Sequence, residues 1–197
     1  MKEEEIKTTL RDIKEMMEKS SRFTAISGWS IAVIGVLTTV CYFCVSSIYL
    51  KSINTPQAIR TAVIFAICLF VVSFSIVTLC SIRKAKRINR PFKFDKTIGQ
   101  LLFNFGLPML AGGLFSIAMI IQGHYGLTSS IMLLFYGLAL VNCHHYTAPV
   151  LRFLGYGELL LGIIDCFLVD YGFLFWLLGF GILHILFGIF FIIKYER

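Results

Sequence analysis

Charged residues are scarce in this sequence of 197 residues. Only 15% of them are Asp, Glu, Lys or Arg, whereas a soluble domain carries about a quarter. Apolar residues make up 57% of the chain, and the mean hydropathy is +0.82. A chain with so few polar side chains cannot cover its surface in water, which excludes an ordinary soluble domain and predicts a membrane protein. The charged first 22 residues lack the features of an export signal, so we expect no signal peptide.

The sequence also lacks the motifs of common enzyme classes. There is no Walker loop, no dinucleotide fingerprint, and no serine with a histidine or lysine base in register. Cys41 and Cys44 form a CxxC pair without the βαβ pattern of a redox fold, and small buried apolar residues are the better interpretation of the cysteines. We therefore expect no enzymatic activity, no cofactor and no metal site.

Six apolar runs are each long enough to cross about 30 Å of hydrocarbon, which takes about 20 helical residues. The predicted spans are residues 25–50, 61–82, 98–121, 126–146, 149–169 and 173–193. The sequence therefore predicts an all-α, polytopic membrane protein whose six transmembrane helices form one domain within residues 24–197.

The basic residues predict the orientation of these spans. Sixteen Lys and Arg fall on the side that holds both termini, and two fall on the other side. Because basic residues stay cytoplasmic, both termini are predicted to lie in the cytoplasm. Residues 83–96 hold seven of these cations and one acid, so the net charge of +7 needs no nucleic-acid partner. This segment either contacts anionic lipid headgroups or only determines topology.

Residues 1–23 have the pattern of an amphipathic helix on the cytoplasmic side. Ile6, Leu10, Ile13 and Met17 recur at helical spacing, and six acids balance six bases. The balanced charge argues against a polybasic membrane anchor. The apolar stripe is expected to pack against the chain itself or lipid, or to bind a second copy or a cytoplasmic partner protein.

The third predicted span contains helix-breaking residues near its middle. Pro108 cannot donate a backbone hydrogen bond to residue 104, so a kink is expected at Pro108, Gly112 and Gly113. The proline frees the carbonyl of Asn104, and the Asn104 amide is a candidate to cap the gap. Asn104 therefore joins the candidate polar residues of the interior.

Small and polar residues share one face on each of the last two spans. On span 5 this face consists of Gly155, Glu158, Gly162 and Asp165. On span 6 it consists of Gly181, His184 and Gly188. Because small residues let helices approach closely in lipid, we expect the two faces to pack against each other as two facing glycine ladders.

The spacing from the connecting turn predicts which polar residues meet. Glu158 lies thirteen residues before Tyr171 and His184 lies thirteen after it, so an antiparallel hairpin brings both to the same depth. An acid at the centre of a membrane helix costs about 3 kcal/mol, and pairing or protonation removes most of that cost. Glu158 and His184, with Asp165 extending the path, are a candidate proton or ion site. The alternative is a polar clasp that fixes helix register.

Four stretches carry a resemblance to a known family. They are "MMEKSSRFTAISGWSIAVIGV", "FYGLALVN", "RFLGYGELLLG" and "YGFLFWLLGFGILHILFGIFFIIKYE". The chain resembles a family of small, uncharacterised bacterial six-span inner-membrane proteins, and its last two spans resemble the Gly-rich repeat of the HdeD-like acid-resistance membrane proteins. The resemblance implies a six-helix fold in the inner membrane, and it assigns no functional residues.

Two functional hypotheses follow from the sequence. The first is a membrane-embedded scaffold or regulatory protein that uses residues 1–23 to bind itself or a partner. The second is a small transporter or proton-linked carrier that uses Glu158, Asp165 and His184.

Overall fold

The structure is a computed structural model that describes Ile6 and residues 26–49, 56–87 and 96–196. This part of the chain is 91% helical and contains no strand, as the all-α prediction requires. The long helices are α1 (Gly28–Tyr49), α2 (Pro56–Arg87), α3 (Lys96–Ile121), α4 (Thr128–Cys143), α5 (Leu151–Phe167) and α6 (residues 172–195). Short 3₁₀ turns at Tyr125–Leu127 and Val169–Tyr171 precede α4 and α6. The predicted helix of residues 1–23 lies, apart from Ile6, outside the described residues.

Five of the helical segments are long and apolar enough to cross a membrane. They are Gly28–Ser47, Val63–Arg87, Lys96–Ile121, Tyr125–Cys143 and Val169–Tyr195. The fifth predicted span, residues 149–169, corresponds to α5, which has 17 residues. The described chain therefore has five candidate spans by length and composition, together with one shorter apolar helix.

The helices associate mainly as two close pairs. α4 packs along α5, with α3 on the other side of α4, and α1 packs along α6, with α2 beside α1. Glycines lie where each pair is closest: a Cβ on Gly137 of α4 would lie 2.7 Å from the carbonyl oxygen of Gly155 on α5. A Cβ on Gly35 of α1 would lie 2.7 Å from the carbonyl oxygen of Gly181 on α6. Each pair thus depends on backbone-to-backbone contact, as in other helix pairs in lipid.

The prediction of two facing glycine ladders between spans 5 and 6 is wrong. Gly155 and Gly162 of α5 contact α4, whereas Gly181 and Gly188 of α6 contact α1. Each ladder is a helix-packing surface, but it faces a different partner, because a small-residue stripe accepts any helix that can approach it closely. The contact between α5 and α6 is made instead around Gly157 and Gly179.

The helix α3 continues through Pro108, which is buried. A Cβ on Gly112 would overlap the Phe135 side chain of α4, so Gly112 is a packing position, whereas nothing lies within 4 Å of a Cβ on Gly113. Asn104 donates its side-chain N–H to the carbonyl oxygen of Gln100 at 2.8 Å. That bond ties Asn104 to its own helix. The kink at Pro108 stays a prediction.

The basic segment 83–96 begins as helix, so the helix ends five residues later than the predicted end of span 2 at residue 82. α2 extends to Arg87 and carries Lys84, Lys86 and Arg87 in its last turn. Lys and Arg favour helix, and the negative end of the helix dipole stabilises cations there. Residues 88–95 lie outside the described residues.

One ion pair joins three helix ends on the basic side of the molecule. The Lys84 Nζ donates to Glu196 Oε1 at 2.6 Å and to the carbonyl oxygen of Ile26 at 2.8 Å. The backbone N–H of Gly28 donates to the same carboxyl oxygen at 3.1 Å. Partial burial raises the pKa of Glu196, but the hydrogen bonds from Lys84 and Gly28 and the Lys84 charge outweigh it, so the net pKa is lowered.

Replacing Glu196 with Gln is expected to destabilise the protein near neutral pH by about 1 kcal/mol, because it removes a charge-assisted contact. A lowered carboxyl pKa stabilises the fold above the ordinary value of 4.5, and this contribution is lost as the pH falls through the lower folded-state value. The two proteins should therefore converge in thermal unfolding experiments below about pH 4.5. The control is Asp170→Asn, which makes the analogous change at an exposed acid. A difference in stability between Glu196→Gln and the unmodified protein that is constant across pH would contradict the ion pair.

Candidate functional site

The polar interior is centred on Glu158 of α5 and His184 of α6. Glu158 is 0% exposed and His184 is 3% exposed. The His184 Nδ1 lies 3.3 Å from Glu158 Oε1, so the contact expected from the hairpin spacing is present. Since α5 belongs to one close helix pair and α6 to the other, this contact bridges the two halves of the molecule.

The Glu158 carboxyl is poorly satisfied for a buried group. Neither of its oxygens has a hydrogen-bond partner among the described residues. The reason lies at His184, whose Nδ1 is 2.9 Å from the carbonyl oxygen of Gly179. A carbonyl can only accept, so Nδ1 carries a proton and directs it at Gly179, leaving Glu158 within ion-pair distance but off the hydrogen-bond axis.

Tyr136 of α4 completes the cluster, and the sequence analysis missed it. Its hydroxyl lies 2.9 Å from His184 Nε2, and its ring stacks on the imidazole with centroids 5.5 Å apart. Phe180 contacts both rings, with its centroid 6.0 Å from that of His184 and 5.2 Å from that of Tyr136, and Phe105 of α3 meets the Tyr136 ring edge-on at 6.2 Å. A tyrosine hydroxyl inside an apolar helix needs a partner, and that signal could have identified Tyr136.

The backbone beside His184 is irregular. Residues Leu177–Leu183 form a π-helical segment within α6, ending directly before His184. Such segments are rare and occur frequently at functional sites. Gly179 lies in this segment, and a Cβ there would sit 2.6 Å from Glu158 Oε2. Because Gly179 has no side chain, the Glu158 carboxyl can lie directly against the surface of α6.

Asp165 forms a separate polar contact nearer the other end of α5. Its Oδ2 accepts hydrogen bonds from Ser129 at 2.6 Å and Ser130 at 2.9 Å, while Oδ1 has no partner among the described residues. Both serines lie in the first turn of α4, where the positive end of the helix dipole stabilises the carboxylate. Asp165 is seven residues from Glu158, about 10 Å along the helix.

Asn104 is not part of either polar contact, because its amide bonds to Gln100 within α3. The structure therefore brings Glu158 and His184 together and places Tyr136 beside them. Asp165 lies about 10 Å from Glu158 along α5. Asn104 lies outside the cluster. In the described parts of the chain, no three His, Cys, Asp or Glu residues lie close enough to hold a metal ion.

The three groups of the cluster can exchange protons in sequence. In the neutral imidazole with hydrogen on Nδ1, Nε2 accepts from the Tyr136 hydroxyl. The Tyr136 hydroxyl can give its proton to Nε2 if its oxygen gains a proton from outside the cluster at the same time, and this makes the imidazolium. A turn of the ring away from Gly179 would then let Nδ1 release its proton to the Glu158 carboxylate, 3.3 Å away. The products are the other neutral tautomer of His184 and a protonated Glu158, so the net result is the movement of one proton across the ring.

Comparison with other proteins adds no family to this description. No family model matches the chain, and no curated protein or solved structure is significantly similar to it. The fold and site define an all-helical protein with several apolar, membrane-length helices and a buried acid–histidine pair that a partly buried tyrosine contacts. The resemblance to the six-span and HdeD-like families stays a prediction.

Proposed function

We propose that the protein is a multi-pass membrane protein that carries protons through the cluster of Glu158, His184 and Tyr136. Three features support this proposal: an apolar exterior, a one-sided distribution of basic residues, and a buried carboxyl that lacks hydrogen bonds.

The exterior supports insertion of six spans. In α2 no residue of the most apolar stretch is buried, and large apolar side chains are exposed on the other long helices too. A surface of this kind is unfavourable in water and favourable in lipid. The shorter helix α5 is about 26 Å long, and the turns at its ends extend it toward both headgroup regions. The exposed face of α5 is also apolar, so we count it as the sixth span.

The proposed orientation places both termini in the cytoplasm. It follows from the excess of sixteen Lys and Arg over two on the side of the termini. The inner membrane as location rests on the resemblance to the bacterial six-span family.

A single observation carries the proton function: the Glu158 carboxyl is fully buried, and neither of its oxygens accepts a hydrogen bond from any residue that the structure describes. A polar clasp that only fixes helix register is expected to satisfy its buried polar atoms, because unsatisfied ones are destabilising. Glu158 retains this unfavourable environment beside a histidine that can donate to it. Burial of Glu158 and His184 then corresponds to the occluded state of a carrier.

The alternative function, a scaffold or regulator, depends on residues 1–23. Apart from Ile6 these lie outside the described residues, whereas the proton cluster lies entirely within them. The carrier proposal rests instead on the contact between Glu158 and His184.

The test is proton movement in liposomes that contain the purified protein and a trapped pH-sensitive dye. With an imposed pH gradient and a potassium diffusion potential to compensate charge, the protein should accelerate pH equilibration at least about tenfold over empty liposomes, because a positioned acid–base chain replaces slow passage of protons through hydrocarbon. Rates equal to those of empty liposomes for gradients in both directions would contradict the proposal.

A further inference from the structure

A groove lies between the start of α5 and the end of α6, on the side of the molecule that holds the C-terminus. Its volume is about 420 Å³. The apolar part of its lining includes Pro149, Val150, Phe153 and Phe191, and the cations Arg152 and Lys194 complete it. The groove therefore combines an apolar floor with two positive charges.

Both cations are exposed, and neither has an acidic partner among the described residues. Arg152 lies 5.0 Å from the Phe153 ring centroid, and Lys194 lies 5.4 Å from that of Phe190. No carboxylate in the described part of the chain pairs with either cation. Glu196, the acid nearest to Lys194 along the chain, binds Lys84, and Glu158, the acid nearest to Arg152, lies beside His184. These aromatic contacts hold the cations over apolar surface without neutralising them.

Exposed apolar side chains also lie along both helices toward the other membrane face, and the set on α5 begins at Phe153, which lines the groove. On α5 they are Phe153, Tyr156, Leu160 and Ile163. On α6 they are Ile193, Phe190, Leu186 and Ile182. The spacing of three or four residues makes each set a single stripe, so a chain of hydrocarbon could follow the stripes from the cations toward the bilayer centre.

We propose that this groove binds one anionic phospholipid of the cytoplasmic leaflet, with its phosphate between Arg152 and Lys194 and its acyl chains along the two stripes. The position rests on the membrane orientation proposed above. A guanidinium can hold a phosphate through two parallel hydrogen bonds, and each basic residue near an anionic leaflet favours binding. A free anion would leave the apolar floor uncovered, and a choline headgroup would bring a cation against two cations.

The test is native mass spectrometry of the full chain in detergent with phosphatidylglycerol or phosphatidylcholine of identical acyl chains. The unmodified protein should retain phosphatidylglycerol preferentially. The double variant Arg152→Gln/Lys194→Gln should reduce that preference about tenfold, because two contacts to the phosphate are lost. Inorganic phosphate in excess should not displace the lipid.

The control is Arg152→Lys/Lys194→Arg, which exchanges the two cations of the groove and keeps both charges in place. It should change the lipid preference less than twofold, because both contacts to the phosphate are kept. Equal losses in the two double variants, displacement by phosphate, or no preference in the unmodified protein would overturn the proposal. Since the measurement needs no transport, its result is independent of the proton function.

Discussion

Replacing Glu158 with Gln should reduce proton flux through the protein on the order of 10²-fold, the typical contribution of a positioned acid–base group. Gln keeps the volume of the side chain, so the packing against Gly179 is preserved, but it cannot take up the proton that His184 releases. The measurement is the initial rate of pH equilibration in the liposome assay, at equal amounts of reconstituted protein.

The matched control for this variant is Asp170→Asn, which makes the same chemical change at an exposed acid in the turn between α5 and α6. Its flux should stay within about twofold of the unmodified protein, because an exposed surface acid contributes little to a buried site. Equal rates for Glu158→Gln and the unmodified protein would contradict the role of Glu158. A similar loss in both variants would show that the effect is not specific to the cluster.

Replacing Gly188 with Ala should destabilise the protein by about 2 kcal/mol, because an added methyl group overpacks the contact between α1 and α6. A Cβ at residue 188 would lie 2.5 Å from the backbone nitrogen of Ala32, which cannot move without displacing α1. The measurement is the free energy of unfolding in mixed micelles.

Gly113→Ala is the matched control, since nothing lies within 4 Å of a Cβ at that position. Alanine favours helix over glycine by up to about 1 kcal/mol, so this variant should be slightly more stable than the unmodified protein. The two substitutions should therefore change stability in opposite directions. A loss at Gly113 equal to that at Gly188 would contradict the assignment of Gly188 to a close helix contact.

The helical class and the Glu158–His184 contact were predictable from the sequence, each for a definite physical reason. Long apolar runs leave few structures other than helices. Two residues at equal distance from a tight turn lie at equal depth in an antiparallel pair, which is how thirteen residues on each side of Tyr171 located the contact. This argument needs only the rise per residue and the position of the turn.

The partners of the glycine stripes could not be read from the sequence. Gly155 and Gly188 each lie on a face of small residues, but such a face does not specify which of several helices will pack on it. The structure pairs them with α4 and α1. The π-helical segment Leu177–Leu183 has no sequence pattern that distinguishes it from regular helix, and Tyr136 is brought to His184 only by the packing of α4.

The most direct test of the central claim, that Glu158 and His184 act as one proton-carrying unit, is a double-mutant comparison in the liposome assay. The variants are Glu158→Gln, His184→Ala and both together. Groups that act as a unit give strongly non-additive losses. The account predicts that the double variant is no slower than the slower single variant. Losses that multiply, or a flux that persists unchanged in the double variant, would contradict it.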